Sequence, residues 1–279
     1  MPTLAFWNTR GRIPIERITM FARKADADVL VLAENGTPVS ELVKSLNTGA
    51  ERVFFPDPLD TGNVTTLTRF PVDKRCLIRD TARISIREYK TPLSDSFLVV
   101  AVHLPSKLWK MTEDQAMSCA RLARLVQEAE EKVGHQRTIV IGDFNMNPFE
   151  TGLVASEGLH AIADRRIVAK RTRRVQEEDC TFFYNPMWSH FGDLDSSPPG
   201  TYFYNSGSEV NFFWNIFDQV MIRPDLLPYF SDESVSLVTE ISGEPLLDNN
   251  GHPNKELHSD HLPIVCRLSE IVQGINVNS

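Results

Sequence analysis

The chain has 279 residues, 42% of them apolar, and a formal net charge of −8 at pH 7. This is enough for one large domain or two modest ones with a normal core, and the acidity excludes a global attraction to nucleic acid or anionic membranes. Its four cysteines lie far apart, which argues against a disulfide framework or a structural zinc site. We find no leader-like segment and no apolar run near 20 residues. We therefore expect a cytoplasmic protein without a membrane span, although a clipped leader or another export route stays open.

The first part of the chain alternates strand and helix patterns. We predict a buried strand at residues 3–8, an amphipathic helix at 14–25 and a second buried strand at 28–33. A strand, a helix and a strand so close together indicate a crossover unit. Asn8 and Glu34 stand where the two strands end. Taken alone, each is explained as well by an ordinary turn.

A short helix at 38–47 precedes a segment that is rich in β-branched residues and turn signals. Its predicted strands are 52–55, 63–69, 76–78, 81–88 and 96–103. The last of these runs is buried and ends in His103, a position where a lone histidine is more often structural than catalytic.

Residues 112–115 form a capping-box pattern that opens a helix running to 133, with Gly134 as its terminator. The charged remainder of this helix indicates an outer layer that covers a sheet. A second helix is predicted at 149–157.

Between these helices, a short buried strand at 138–141 ends in Gly142-Asp143-Phe144-Asn145. In an extended segment, side chains two residues apart point to the same side, so Asp143 and Asn145 are predicted to face one pocket. Asp143 is then suited to orient or deprotonate a water, and Asn145 to donate to a neighbouring oxygen. The alternative is a simple turn, because these residue types are common in turns.

Two later segments have an unusual composition. Residues 165–174 contain the main local positive charge of an acidic chain. This basic segment either contacts phosphates or forms a solvated face balanced by the acidic residues 177–179. Residues 181–214 are aromatic and turn-rich, which is consistent with stacking on bases or with the packing of a long loop.

The last part of the chain contains a predicted strand at 216–222 that is interrupted by Asp218. An aspartate inside an apolar strand is costly without a partner. Further strands are predicted at 232–240 and 262–266, and Asp260 and His261 directly precede the last one.

Taken together, the polar residues at these strand ends occur in an order that resembles the endonuclease/exonuclease/phosphatase superfamily, the DNase I-like metal-dependent phosphoesterases. The similar stretches lie between residues 4 and 268: Phe6-Trp7-Asn8, Leu32-Ala33-Glu34, Val102-His103-Leu104, Gly142-Asp143-Phe144-Asn145, Phe217-Asp218-Gln219-Val220 and Ser259-Asp260-His261-Leu262-Pro263. The resemblance implies an α/β (α+β) fold, a four-layer α-β-β-α sandwich with two central, mostly antiparallel or mixed sheets. It implies one domain over residues 1–270, followed by a tail at 271–279, with the site in a cleft at one edge of the two sheets.

The resemblance also assigns a metal site. Glu34 resembles the main metal ligand of the family, and Asn8 and Asp260 resemble residues close to the metal or its waters. Oxygen donors of this kind favour a hard cation, so we expect Mg²⁺ or Mn²⁺ rather than zinc.

Five further residues resemble the catalytic set of the family. Asp143 resembles the residue that activates the attacking water, and Asn145 the residue that helps to orient it. His103 and His261 resemble the two histidines at the scissile phosphate. Asp218 resembles the carboxylate that orients His261, which would also explain an aspartate inside an apolar strand.

The substrate is predicted less directly. The residues around Asp218 lack the pattern typical of inositol-polyphosphate phosphatases, and Arg10 with His103 is closer to DNase I than to abasic-site nucleases. We therefore expect a nuclease acting on DNA or RNA. Its predicted substrate-binding residues are Arg10, Arg165, Arg166, Lys170 and Arg171. A phosphoesterase for a lipid head group (sphingomyelinase-like) or a small phosphoester is the alternative, which an apolar rim around the cleft would favour, whereas a basic groove would favour nucleic acid. A non-catalytic binding module is a further alternative.

Overall fold

A computed structural model describes residues 2–56, 62–91, 95–107, 111–194 and 197–269. The predicted tail at 271–279 lies outside these residues. Within them, two large mixed sheets account for most of the strands. No helix in this part of the chain combines the length and the apolar character needed to cross a membrane.

The first sheet brings together both ends of the chain. In the described residues it has six strands, in the spatial order Val235–Leu237, Ile264–Arg267, Thr3–Asn8, Val29–Ala33, Val64–Thr68 and Phe55–Pro56. Thr3–Asn8 and Val29–Ala33 are parallel, as the predicted crossover unit requires. The remaining pairs are antiparallel.

The second sheet is formed by the middle of the chain. Its seven strands, counted over the same residues, have the spatial order Arg75–Asp80, Ile84–Tyr89, Phe97–His103, Thr138–Asp143, Asp218–Ile222, Phe183–Tyr184 and Ala161–Ile162. Phe97–His103 and Thr138–Asp143 are parallel, so both strands end at the same edge.

Among the residues that the structure describes, three short antiparallel ribbons lie outside the two sheets. They pair Thr172–Val175 with Glu178–Thr181, Tyr202–Phe203 with Trp214–Asn215, and Glu240–Ile241 with Glu244–Pro245. The first ribbon contains part of the basic segment, for which no strand was predicted.

Helices cover the outer face of each sheet. Ile15–Ala25 and Val39–Asn47 pack on the first sheet, and Thr112–Val133 and Thr151–Val154 pack on the second. The remaining helical segments are Arg165–Val168 and the 3₁₀ turns Val72–Lys74, Pro186–His190 and Pro224–Tyr229.

The core between the sheets follows from strand alternation. Leu4 and Phe6 point inward and pack with Ile139 and Ile141 of the other sheet, whereas Trp7 points outward. The Trp7 ring lies 5.5 Å from the ring of Phe21 in the covering helix. The expected four-layer α-β-β-α sandwich is thus confirmed.

Several predicted boundaries were wrong. The helix expected at 149–157 is limited to Thr151–Val154, and of the strand expected at 232–240 only Val235–Leu237 joins a sheet. The helix Thr112–Val133 has the predicted ends, but its N-cap is Met111, whose N–H donates to Asp114. Gln115 is therefore free of a capping role and donates to the carbonyl oxygen of Asn145 at 2.9 Å.

A buried ion pair joins the long outer helix to the second sheet. The Arg223 Nε donates to Glu130 Oε1 at 2.8 Å, and the two residues are 6% and 4% exposed. Thr138 also donates to Glu130, and Arg223 lies 3.9 Å over the ring of Phe183. Glu130 and Arg223 are each other's counter-charge in the interior. Removing one of them therefore leaves the other as a buried charge without compensation.

We expect Arg223→Ala to lower the free energy of unfolding by about 3–5 kcal/mol, because Glu130 loses its counter-charge in the interior. Urea denaturation followed by circular dichroism measures this change. Arg124→Ala is the matched control, since it breaks the exposed helical pair with Glu128 and is expected to cost only about 0.3–0.5 kcal/mol. Equal losses in the two variants would contradict the expectation.

Candidate active site

The predicted polar residues meet at one edge because the strand registers align their ends. Asn8 pairs with Ala33, the residue before Glu34, and His103 pairs with Asp143. Asp218 begins the antiparallel neighbour of Thr138–Asp143 and stands directly opposite Asp143. The two sheets therefore deliver these side chains to a common place.

Asp143 is at the centre of this group and is 1% exposed. Its Oδ1 accepts from the backbone N–H of Asn145 at 2.8 Å, and its Oδ2 accepts from Asn8 Nδ2 at 3.0 Å. Burial raises the pKa of the Asp143 carboxyl above its usual range, and the positive charge of His261 opposes the rise. Asp143 is thus a fixed carboxylate with increased basicity.

Gly142 permits the strand to approach its neighbour closely. Its φ is +153°, and a Cβ built there would lie 1.9 Å from the carbonyl oxygen of Val102. A side chain at this position would therefore push Asp143 away from His103. The glycine of the Gly142-Asp143-Phe144-Asn145 stretch is needed for this contact.

Asp218 and His261 form a buried pair beside Asp143. The His261 Nδ1 lies 2.8 Å from Asp218 Oδ2 and 3.1 Å from Oδ1. Burial disfavours a charged His261, but the carboxylates of Asp218 and Asp143 outweigh it and raise the pKa of the imidazole well above its usual range. His261 is consequently a cation at neutral pH, with Nδ1 held by Asp218.

Asp218 is itself held by Thr201. The N–H groups of Phe217 and Asp218 donate to Thr201 Oγ1 at 3.2 and 3.1 Å, and the N–H of Leu262 donates to its carbonyl oxygen at 2.8 Å. Thr201 thus ties the aspartate strand to the segment that carries His261.

His103 ends the strand that flanks Thr138–Asp143 on the side away from Asp218. Its Nε2 is 3.8 Å from Asp143 Oδ2 and 3.5 Å from Glu34 Oε1. Burial, together with the charges of Arg83 and His261, lowers the pKa of His103 to about 4. The two histidines therefore differ in charge at neutral pH, with His103 neutral and His261 protonated.

Glu34 is positioned by a turn that contains Thr9 and Gly11. Its φ is +49°, and its carbonyl oxygen accepts from Thr9 Oγ1 at 2.8 Å and from the N–H of Gly11 at 2.7 Å. The carboxylate lies 3.4 Å from Asn8 Nδ2 and is 44% exposed. Glu34 is thus the carboxylate of this group that is open to solvent.

Asp260 is held on the same edge by its neighbours. Arg10 NH1 lies 3.3 Å from Asp260 Oδ2. Ser259 Oγ donates to the carbonyl oxygen of Asn8 at 2.6 Å, and Trp7 Nε1 donates to that of His261 at 3.0 Å. These contacts tie the segment before the last strand to the first strand.

We predicted an extended segment at Asn145, and the structure differs. Its φ is +52°, and its Nδ2 donates to the carbonyl oxygen of Leu104 at 3.0 Å. The chain turns immediately after Asp143, so the side chains of Asp143 and Asn145 have different partners. The predicted turn is therefore observed for this stretch, and the site role of Asp143 and Asn145 stays a prediction.

The structure does not bring the basic segment to this edge. Arg165 contacts the Tyr184 hydroxyl at 3.0 Å and pairs with Asp232 at 2.7 Å, and Tyr184 pairs with Ile222 at the far end of Asp218–Ile222. That strand spans roughly 13–16 Å. Four of the predicted substrate-binding residues therefore lie away from the site: Arg165, Arg166, Lys170 and Arg171.

Three residues at the site were missed in the sequence: Arg83, Thr201 and Tyr202. Arg83 donates to the carbonyl oxygen of His103 at 3.2 Å, and the Tyr202 ring lies 4.7 Å from that of His261. Thr201 lies in a segment without a distinctive pattern, and Arg83 was assigned only to the predicted strand at 81–88. Tyr202 was visible only as one of many aromatic residues.

Two groups of side chains have the composition of a cation site. Ligand atoms of Asp143, Asp218 and His261 lie within 4.8 Å of one another. A protonated His261, bound to Asp218, is a poor ligand because it must first lose its proton. Glu34, Asn8 and Asp143 form the second group, which offers carboxylate oxygens and an open face, as Mg²⁺ and Mn²⁺ prefer.

Comparison with known proteins identifies a family for most of the chain. The model of the Endonuclease/Exonuclease/phosphatase family matches residues 5–238. No curated protein has significant sequence similarity to the chain.

Solved structures share the fold at low identity. An AP endonuclease from Archaeoglobus fulgidus is 12% identical with a TM-score of 0.57, over 97% of this chain and 100% of the other. The endonuclease domain of TRAS1, a telomere-specific non-LTR retrotransposon, is 12% identical with a TM-score of 0.54, over the same shares. The NExo 3′ phosphatase from Neisseria, bound to a product DNA hairpin, has the same identity, TM-score and coverage as TRAS1.

The family match covers most of the chain, and the two sheets with their covering helices are those of these solved structures. The chain belongs to the Endonuclease/Exonuclease/phosphatase family.

Proposed function

We propose that this protein is a metal-dependent phosphodiesterase that hydrolyses DNA or RNA through an activated water. Members of its family are hydrolases that act on phosphoester bonds. The observation that carries the proposal is the buried Asp143 carboxylate, which lies between a neutral His103 and a protonated His261. A base and two histidines of different charge are suited to opposite sides of one reacting phosphate.

Asp143 is the proposed base for the attacking water. Its hydrogen bonds to Asn8 and to the N–H of Asn145 fix both carboxylate oxygens, and burial brings its pKa closer to neutral pH. The backbone N–H of Asn145 orients the Asp143 carboxylate. The Asn145 side chain donates to the carbonyl oxygen of Leu104 and so connects the two segments that follow these strands.

The histidines are the proposed partners of the phosphate. His261 presents a positive charge and a donor, and Asp218 keeps its ring in one orientation. This charge offsets the negative charge that grows on the phosphoryl oxygens during attack. His103, which is neutral, contributes a hydrogen bond from the other side.

The residues present fit a divalent cation. Glu34 is the proposed main ligand, because its carboxylate is open to solvent and converges on Asn8 with Asp143. Asn8 and Asp260 are proposed to lie close to the ion or its waters, and Arg10 holds Asp260 in place. A bound Mg²⁺ or Mn²⁺ supplies charge stabilisation for the phosphate and the departing oxygen.

Support for nucleic acid comes from the relatives and from Arg10. The NExo structure contains a DNA hairpin, and a TDP2 structure from D. rerio contains a single-stranded DNA product. Arg10 is 36% exposed beside Asp260 and is able to contact a neighbouring phosphate.

A lipid head group or another small phosphoester is the second candidate. Leu194, Val210 and Phe212 are all more than half exposed, and Val210 and Phe212 precede the ribbon strand Trp214–Asn215 in the chain. Exposed apolar side chains of this kind also suit a lipid surface.

Purified protein is expected to cleave plasmid DNA, single-stranded DNA or RNA with Mg²⁺ or Mn²⁺, and to lose this activity in EDTA. Asp143→Asn keeps the size of the side chain but removes the base, so we expect the rate to fall on the order of 10²–10⁴-fold. Gel electrophoresis of the products measures both effects. Cleavage of no polymer with either metal would refute the nuclease proposal and direct the test to sphingomyelin and small phosphodiesters.

Asp218→Asn is expected to lower kcat on the order of 10²–10⁴-fold with little change in KM, because His261 loses the anion that keeps it charged and oriented. Steady-state kinetics on a fluorogenic oligonucleotide measures this split. Asp225→Asn makes the same chemical change in the partner of Arg171 and should be neutral. If both variants lose activity equally, the role of Asp218 is structural.

Arg10→Ala is expected to reduce the salt dependence of oligonucleotide binding by roughly 0.7–0.9 in the slope of log K against log salt, the value for one phosphate contact. Arg166→Ala is the control, because this side chain is 91% exposed and lies on the distant basic segment. A comparable change in the Arg166 variant would mean that the basic segment does contact the substrate.

A further inference from the structure

The aromatic stretch of residues 181–214 separates into two parts with different surroundings. Phe182, Phe183 and Tyr184 are buried in the hydrophobic core. Tyr202, in contrast, stands beside His261 of the candidate site, and Tyr204 stacks next to Tyr202. The function proposed above leaves these two tyrosines without a role.

Tyr202 is fixed to the catalytic segment by its backbone and its ring. It forms an antiparallel bridge with His261, and their ring centroids are 4.7 Å apart. The Tyr202 ring also stacks on the ring of Phe217, the residue before Asp218, with centroids 5.1 Å apart and an interplanar angle of 24°. The neighbouring Thr201 bonds the backbone of Phe217 and Leu262, so this arrangement has little freedom to move.

Tyr204 extends the same row of rings into solvent. Residues two apart on a strand share a face, and the N–H of Tyr204 continues the ribbon by donating to Phe213 at 2.8 Å. Its ring is nearly parallel to that of Tyr202, at 18° and 6.4 Å, and the residue is 52% exposed. Phe217, Tyr202 and Tyr204 thus form an aromatic row that leads from the catalytic histidine to the surface.

We propose that the exposed ring of Tyr204, backed by the nearly parallel ring of Tyr202, forms a stacking platform for an unpaired nucleobase close to the scissile phosphate. This inference rests on the proposed function and narrows its substrate class to single-stranded or frayed nucleic acid. A base within a duplex has both faces covered by its neighbours, so only an unpaired base is able to place a face on a protein ring. The row starts at His261, so a phosphate held there leaves the bases of adjoining nucleotides within reach of Tyr204.

The charge distribution favours this mode of recognition. At the far end of the second sheet, Arg165 is paired with Asp232, and Arg171 is paired with Asp225. These two arginines are therefore less available to the phosphates of a duplex. Stacking needs no net positive charge, because every base has a π-face. An acidic protein is therefore able to hold a single strand by its bases near the reacting phosphate.

Binding is measured by fluorescence anisotropy in an Asp143→Asn background, which prevents cleavage. The probes are a single-stranded oligonucleotide, a strand of the same length made only of abasic sites, and a duplex. Tyr204→Ala is expected to weaken binding of the natural single strand by about tenfold, and to change binding of the abasic strand less than about twofold. Tyr204→Phe should retain nearly full affinity, because the ring and not the hydroxyl forms the platform.

Phe213→Ala is the matched control, since Phe213 is 47% exposed on the same ribbon but packs with Phe203 outside the row. Equal affinity of Tyr204→Ala and its parent for the natural strand would overturn the platform, even if the parent enzyme cleaves nucleic acid. Stacking without any cleavage would support the platform and refute the nuclease proposal. Loss of binding to sphingomyelin vesicles in Tyr204→Ala, with unchanged oligonucleotide binding, would assign the surface to lipid and also overturn the proposal.

Discussion

Two buried carboxylates on neighbouring strands are the constraint on which the site depends. Asp143 and Asp218 are paired in register and are 1% and 0% exposed, so their like charges would repel strongly without compensation. His261 supplies that compensation at 2.8 Å from Asp218. The same contact raises the pKa of the His261 imidazole well above its usual range, so the stability of the strand pair and the charge of His261 have one origin.

The group of carboxylates also links the two sheets. Asp143 and Asp218 belong to the second sheet, whereas Asn8 and Glu34 belong to the first. The bond from Asn8 Nδ2 to Asp143 joins them at 3.0 Å, and the core beneath keeps the two strands in contact. Because packed β-sheets set this spacing, Asn8 and Asp143 are brought together without a flexible loop.

Much of this arrangement was predictable from the sequence. Buried strands have a strong apolar pattern, so the ends that carry Asn8, His103 and Asp143 were located closely, and family resemblance supplied their grouping. Tertiary placement was not predictable in the same way. The basic segment has the composition of a phosphate-binding surface, but Arg165 and Arg171 find acidic partners far away along the sequence. Local charge cannot reveal such partners, and local spacing could not reveal the left-handed turn at Asn145.

The placement of the cations changes how a polyanion is held. Arg10 is shared with Asp260, and the basic segment lies beyond the far end of the strand that carries Asp218. Long-range attraction to phosphates is therefore weak in a chain with a net charge of −8. Under the proposed function, affinity then has to arise within the site itself, from the cation proposed at Glu34, from the charge on His261 and from flat apolar surfaces beside it. The row from Phe217 to Tyr204 provides such a surface next to His261, which is why base contact, more than backbone charge, is expected to determine the substrate.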